Sequence, residues 1–261
     1  IPNTDDFNRG DNEGCGYFQV NQRRGRRWSA ATAFLKPAMQ RPNLKVLTHA
    51  QANRIIIEDG RATGLEFRHE GKPTTANARG AVILSGGSVT SPQLLELSGI
   101  GQGALLQQHG IAVQHELPGV GENLQDHLQV RLVYKVANTR TLNLRANSLL
   151  GKAAMGIEYA LFRTGPLTMS PSQLGAFAKS DPSKETANIQ YHIQPLSTDK
   201  LGEDLHPFEA FTASVCNLRP ESRGSIHISS SDPMQQPSIR PNYLSTEADR
   251  AVAADAIRLT R

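Results

Sequence analysis

The sequence is short of several features that most quickly betray a function. It has only two cysteines, Cys15 and Cys216, far apart in the chain. That excludes a disulfide framework and a CxxC metal pair, and it suits a reducing compartment. No apolar run approaches the roughly 20 residues of a membrane-spanning helix; the longest, such as Arg54–Ile57, are strand-sized. No secretory apolar region opens the chain. The eight histidines are scattered, and none stands at ligand spacing from a suitable partner. Asp126 and His127 are sequence neighbours and would point to different faces of a regular element, so no metal site is expected. A GxSxG nucleophile elbow and a P-loop are both absent, which disfavours those hydrolase and nucleotide-triphosphate classes. The balance of 28 Lys and Arg against 24 Asp and Glu leaves a net charge of +4, too mild to call for a polyanionic partner.

What is present fits a folded chain. Hydrophobic residues make up 38% and charged residues 20% of 261 positions, a globular composition with length enough for two domains. The first residue is Ile1 and the last, Arg261, falls within an apparent helix; both ends read as cuts from something longer.

Residues 1–20 are polar and Gly-rich and read as an ordered loop. Ser29 is a plausible N-cap for a helix over 30–35 that stops before Pro37. Leu44–Thr48 and Asn53–Glu58 look like strands, and the Asp59-Gly60 turn returns the latter into Thr63–His69. Ala81–Leu84 is a continuous apolar run, as expected of a buried strand. It leads into Ser85-Gly86-Gly87 and then a helix over Pro92–Ser98, with Ser91 as N-cap and Gly99 as stop. From residue 130 the texture changes. Gln129–Val136, Ile189–Ile193, Ala210–Val215 and Ser225–Ser229 read as strands, and Ser148–Phe162 as a helix ending at Gly165-Pro166. A last helix begins near Ser245.

Two local motifs invite a function. Gly99-Ile100-Gly101-Gln102-Gly103-Ala104 fits a loose GxGxxA, but a dinucleotide site needs those glycines directly after a strand. Here they follow a helix, so the stretch reads as a helix-terminating loop. Arg23-Arg24-Gly25-Arg26-Arg27-Trp28 is a basic patch tipped by an aromatic. Residues 1–30 also carry Asp5, Asp6, Asp11 and Glu13, so no larger basic field surrounds it, and nucleic-acid binding is the weaker reading.

The strongest signal is the string from Gly80 to Gly101. Ser91-Pro92-Gln93-Leu94-Leu95 followed by Ser98-Gly99-Ile100-Gly101 closely resembles the second signature of the glucose–methanol–choline (GMC) family of flavin oxidoreductases. Three further blocks look like that family in the same order. These are Gly16–Gln19 with Gly25–Ala31, Leu117–His127 (LPGVGENLQDH), and Arg219–Gly224 followed by Asp232-Pro233 and Asn242–Leu244. The closest subgroup is the choline-dehydrogenase-like alcohol dehydrogenases.

The resemblance implies an α/β plus α+β fold: part of an FAD-binding Rossmann-like domain over 1–129, then part of a substrate domain with an antiparallel sheet over 130–261. It implies FAD as cofactor. Ala52 matches the position whose backbone meets the adenine, and Ser85, Gly86 and Gly87 match the turn near the ADP moiety. The packing alternative for the glycines, a helix set close against a strand, stays open. Choline-oxidising members carry a carboxylate where this chain has Gln173 and a His where it has Arg219. A neutral Gln173 leaves a quaternary ammonium without a counter-charge, which points to a primary, uncharged alcohol oxidised to an aldehyde by hydride transfer to flavin. A hydrogen-bonded structural amide is the equal alternative for Gln173. The family's GxGxxG and its C-terminal His segment have no match here. No catalytic residue is therefore assigned within this chain, and the chain alone is expected not to turn over an alcohol. A separate electron acceptor is implied, with a cytoplasmic location or a peripheral one at the inner membrane. The competing reading is a catalytically inactive truncated product acting as a binding or structural module.

Overall fold

The computed structural model describes residues 1–170, 172–200 and 202–261. The Gly-rich N-terminal segment, read as loop from its composition, contributes a strand, β1 (Gly14–Tyr17). The basic patch is a small hairpin of β2 (Gln22–Arg23) and β3 (Arg26–Arg27). Its turn residues Arg24 and Gly25 both have positive φ, 52° and 66°, the pattern of a type I′ turn. A Cβ on Gly25 would lie 2.3 Å from the Arg163 carbonyl oxygen, so the close approach requires glycine. A π-helical turn over Ala31–Leu35 runs into a single α turn, α1 (Lys36–Ala38). It passes Pro37 rather than stopping before it.

The strand expected at Leu44–Thr48 is not formed. β4 (Ala50–Glu58), β5 (Arg61–His69) and β6 (Lys72–Asn77) make an antiparallel meander. The β4–β5 turn uses Asp59 and Gly60 at φ 49° and 74°. α2 (Gly87–Leu97) follows, then β7 (Ile100–Gly101), α3 (Gly103–Gln108) and β8 (His115–Glu116), which pairs in parallel with β7. Beyond these come β9 (Gln129–Lys135), α4 (Leu142–Asn147) and α5 (Leu149–Phe162). Next are β10 (Leu174–Ala178), β11 (Ile189–Gln194) and β12 (Ala210–Asn217). The hairpin of β13 (Ser225–His227) and β14 (Ser238–Arg240) precedes the final helix, α6 (Glu247–Thr260).

Two expectations need correction. Ala81–Leu84 is neither a strand nor buried; Ile83 is 84% exposed. A strand exists only by pairing its backbone groups. The meander closes on itself, and no strand among the described residues pairs with this segment. Ser91 is not a helix N-cap, because α2 starts at Gly87 and carries Pro92 inside it. The proline leaves the Ser88 carbonyl without its helical partner. The stop is as expected: Gly99 sits at φ 83°, and a Cβ there would meet the Ala112 carbonyl oxygen at 2.4 Å.

The chain separates into two compact units, each discontinuous. Unit 1 comprises residues 1–41, 127–220 and 247–261; unit 2 comprises residues 42–126 and 221–246. One crossing point therefore lies close to residue 130, while the N-terminal segment groups with the later strands. The reason is β1, which pairs with β10 at the edge of an antiparallel sheet of order β1-β10-β11-β12-β9. One face of that sheet is apolar. Ala176, Ala178, Ile189, Tyr191 and Val215 bury against Ala256 and Val252 of α6. In unit 2, α2 lies on the meander, with the Ile55 N–H donating to Ser98 Oγ (2.8 Å). Leu97, Leu106 and Ile228 form its small core with Ile111.

Candidate functional site

Unit 2 carries the cofactor positions expected from the sequence. Gly86 and Gly87 lead α2, and no side chain caps that helix end. Gly87 has φ +73°, and a Cβ placed there would meet nothing within 4 Å. The first turn thus offers backbone N–H donors to open space, with the positive end of the helix dipole behind them. A cleft of about 290 Å³ borders the same helix, lined by Ser88, Pro92, Gly121, Glu122, Asn123, Leu124, Gln125 and Ile226. This donor set fits the anionic oxygens of a dinucleotide cofactor. Ala52 lies on β4, an edge strand, where the register with β5 shifts between Ala52 and Arg54. Its carbonyl accepts a bond from Gln51 Nε2 (3.3 Å). No described bond joins Ala52 to the Ser85–Gly87 turn. β4 meets α2 at Ser98, the far end of the helix from Gly87, about 16 Å away at 1.5 Å per residue.

A charged cluster in unit 2 had no signal in the sequence. Glu96, on α2, is completely buried. Its Oε1 lies 2.6 Å from His227 Nδ1, and its Oε2 accepts the Ile228 N–H (2.7 Å). His227 Nε2 lies 3.0 Å from Glu122 Oε1, which also accepts from Gln102 Nε2 (2.9 Å). Burial alone would lower the His227 pKa. The hydrogen bond to Glu96, that carboxylate's charge and the contact with Glu122 outweigh it and hold the imidazolium above its usual range. The cluster ties the signature helix to the loop that walls the cleft.

In unit 1 the sheet face turned away from α6 is polar. Strand alternation puts Gln190, His192 and Gln194 of β11 on it, beside Thr212, Ser214 and Cys216 of β12 and Gln129, Arg131 and Val133 of β9. Thr212 and Ser214 are almost fully buried. Phe18 covers the β10 side, close enough that a Cβ on Gly175 would lie 2.1 Å from its ring. The same ring packs at a tilt against His192, centroids 5.2 Å apart. Burial, and then the charge of nearby His127, lower the His192 pKa. Two buried polar atoms on this face have no hydrogen-bond partner among the described residues, Gln194 Oε1 and Arg131 Nη2.

Gln173 precedes β10 at the end of the sheet where Gln194 and Thr212 lie, and it lines a cleft of about 520 Å³ with Arg140, Thr141, Arg145, Met169 and Pro195. Arg219 is elsewhere. It follows β12 at the opposite end, and its Nη1 donates to Thr186 Oγ1 (2.9 Å) and to the Ala187 carbonyl (3.4 Å). Ala178 is five residue steps along the strand from Gln173 and is level with Ile189 and Asn217. At 3.3 Å per residue that is about 17 Å along the sheet. Gln173 and Arg219 therefore lie toward opposite ends of the sheet, and Arg219 bonds the segment that leads into β11.

One arrangement mimics a catalytic triad. Ser197 Oγ lies 2.9 Å from His206 Nδ1, and His206 Nε2 lies 3.2 Å from Asp199 Oδ1. Ser197 is completely buried and also accepts from Asn143 Nδ2 (2.8 Å), while the Asp199 side chain is 84% exposed. A nucleophile must reach its substrate, so this network locks the loop after β11. Among the described residues no helix is long and apolar enough to cross a membrane. The Arg23 guanidinium packs over Trp28, 5.1 Å from its ring centroid, so part of the basic patch is used internally.

The mixed α/β architecture, with antiparallel sheets and several helices, matches that of oxidases of known structure. Pyridoxine 4-oxidase from Mesorbium loti superposes with a TM-score of 0.81 at 25% identity, covering 98% of this chain and 46% of that one. Residues 2–129 and 220–261 match the two GMC oxidoreductase family models, and the chain belongs to that family. It is 41% identical to an alcohol dehydrogenase (acceptor) of Pseudomonas putida, over 98% of this chain and 47% of the relative. It is equally 41% identical to an oxygen-dependent choline dehydrogenase of Brucella ovis, over 99% of this chain and 47% of that protein. The chain thus spans about half the length of the curated relatives it matches.

Proposed function

We propose that this chain forms part of an FAD-dependent oxidoreductase that converts a primary, uncharged alcohol to its aldehyde. The observation that carries the reading is the uncapped Gly86-Gly87 start of α2, set in a sequence that matches the GMC family. On this reading unit 2 is the cofactor side and unit 1 the alcohol side. The division at residues 129 and 130 is then crossed twice, by 1–41 and by 221–246. Ser85, Gly86 and Gly87 would hold anionic oxygens through backbone donors, and Ala52 would present its strand edge to the adenine. The flavin, when bound, supplies the two-electron acceptor for the alcohol carbon.

The residues of unit 1 bind and orient. Gln173 offers a neutral amide where choline-oxidising members carry a carboxylate, and the polar sheet face supplies the remaining hydrogen-bonding groups. Equal identity to alcohol and choline dehydrogenases leaves substrate choice to such single positions. A separate electron acceptor completes the cycle, and the two free thiols suit the cytoplasm. Equilibrium titration of the purified chain with FAD, read by quenching of flavin fluorescence, tests the cofactor side. Saturable quenching that is lost in Gly87→Asp supports the reading; its absence in the unsubstituted chain overturns it. A dye-reduction assay of a longer protein that contains this chain, with an aliphatic alcohol and with choline, tests the substrate side, and a preference for choline refutes it.

A further inference from the structure

The polarity of α5 is inverted relative to a helix that packs its apolar side on a core. At about 100° per residue, Leu149, Leu150, Ala153, Ala154, Ile157 and Leu161 fall within an arc of about 140°, and no polar or charged side chain stands among them. That arc faces solvent: Leu149 is 84%, Leu150 83%, Leu161 69% and Ile157 59% exposed. Met155, on the opposite side, is the only buried residue of the helix. α5 packs on α4 and on the turn over Pro166–Thr168. A contiguous exposed apolar surface rimmed by polar groups is where a protein meets a partner or a membrane.

The rim decides between the two. Lys152 and Tyr159 border the arc on one side, and the Arg163 guanidinium lies over the Tyr159 ring, 4.7 Å from its centroid. Glu158 borders it on the other side and is paired with Arg145 of α4 (3.2 Å). Residues 140–163 carry four basic side chains, Arg140, Arg145, Lys152 and Arg163, against Glu158 alone, a net charge of +3. Arg140 and Lys152 are exposed and in no ion pair among the described residues. A second copy of the chain would set this basic rim against itself. An anionic lipid surface meets both features, with acyl chains against the apolar arc and headgroup phosphates against the cations. With 14 residues, α5 is about 21 Å long, short of a hydrocarbon core of about 30 Å, so it would lie in the interface plane and not cross it. We infer that the outer face of α5 seats this chain on the surface of a bilayer that contains anionic lipid. The inference is independent of the cofactor and alcohol readings.

The test is flotation of the 261-residue chain with vesicles of phosphatidylcholine alone and of equal parts phosphatidylcholine and phosphatidylglycerol. The chain is expected to float with the anionic vesicles, to bind the neutral ones about ten-fold or more weakly, and to lose affinity as salt rises. Leu150→Gln/Leu161→Gln should weaken binding to anionic vesicles by about a hundred-fold or more, because two leucine side chains no longer enter the acyl region. Lys152→Gln should weaken it by about five-fold and leave binding to neutral vesicles unchanged. All three positions are exposed, so thermal melts should match those of the unsubstituted chain, which separates lost binding from lost fold. Absence of flotation by the unsubstituted chain, or flotation unchanged in the double leucine variant, overturns the inference. So does self-association in sedimentation velocity that needs Leu150 and Leu161 and occurs without flotation, which would assign the face to a second copy. The same assay on a longer protein that contains this chain completes the test: loss of flotation there would show that the rest of that protein covers α5, and would also overturn the inference.

Discussion

Replacing His227 by Ala removes the group that bridges Glu96 to Glu122, and its effect can be worked from the geometry. Glu96 is completely buried and keeps one partner, the Ile228 N–H at 2.7 Å. It loses the 2.6 Å contact with the ring. A hydrogen bond to a charged group is worth about 1.5–3 kcal/mol, and stripping one partner from a buried pair costs about 3–5 kcal/mol. The retained backbone bond places the loss near the lower end, about 2–3 kcal/mol. For a chain of this length that lowers Tm by about 4–12 °C, measured by calorimetry or circular dichroism.

The double variant Glu96→Gln/His227→Ala should be less destabilised than the sum of the singles by about 1 kcal/mol or more, because the stranded carboxylate is gone. The pH dependence has a definite sign. The folded pKa of His227 is raised, so its stabilisation is complete below the unfolded value of about 6.5 and is lost as pH rises through the folded value. The unsubstituted protein should therefore lose stability with rising pH above about 6.5 more steeply than His227→Ala does. Parallel pH profiles, or additive singles, would refute the bridge as an energetic unit.

Ser98→Ala should cost about 1–3 kcal/mol by chemical denaturation, because it leaves the buried Ile55 N–H without its acceptor. Gly25→Ala should destabilise unit 1 by about 2 kcal/mol or more, since the new Cβ would sit 2.3 Å from the Arg163 carbonyl oxygen in a left-handed turn position; a melt within about 0.5 kcal/mol of the unsubstituted protein would contradict it. Gln173→Glu should tighten choline binding by about ten-fold through a new counter-charge, and equal choline affinity in calorimetric titration would show that this position does not face the substrate.

Legibility in the sequence followed the range of the interaction. The β4–β5 hairpin was announced by Asp59-Gly60, α5 by the run Ser148–Phe162 before Gly165-Pro166, and α6 by the acidic residues of its first turn. β1 and β10 were not visible, because GCGY and LGAFA carry no β-branched alternation. Their pairing places Gly16 opposite Gly175, where the missing side chain leaves room for the Phe18 ring over the strand. Ala81–Leu84 has a strand's composition without a neighbour to pair with, and composition alone cannot supply one. At the site, the Gly86-Gly87 turn could be read as a contiguous string. Glu96 and His227 meet across 131 positions, so no local pattern records their contact. The polar sheet face was within reach: QYHIQ over 190–194 and TASVC over 212–216 both alternate polar with apolar residues, and the strand period of two assigns them to one side.

The discontinuity of the two units sets the order in which the chain can fold as it is made. β1 emerges well before its partner β10, which follows only after residues 42–126 of the other unit and β9, α4 and α5 have passed. The apolar face of the sheet then stays uncovered until α6, at residues 247–260, leaves the ribosome. At roughly 5–20 residues per second, synthesis of the stretch from Val215 to the end of α6 takes roughly two to nine seconds. Through that interval Ala176, Ile189 and Val215 lie open to any apolar surface, and neither unit can reach its final stability one after the other along the chain. Refolding of the 261-residue chain, in which β1 and α6 are present together from the start, avoids that wait and should expose this face for a shorter time than synthesis does.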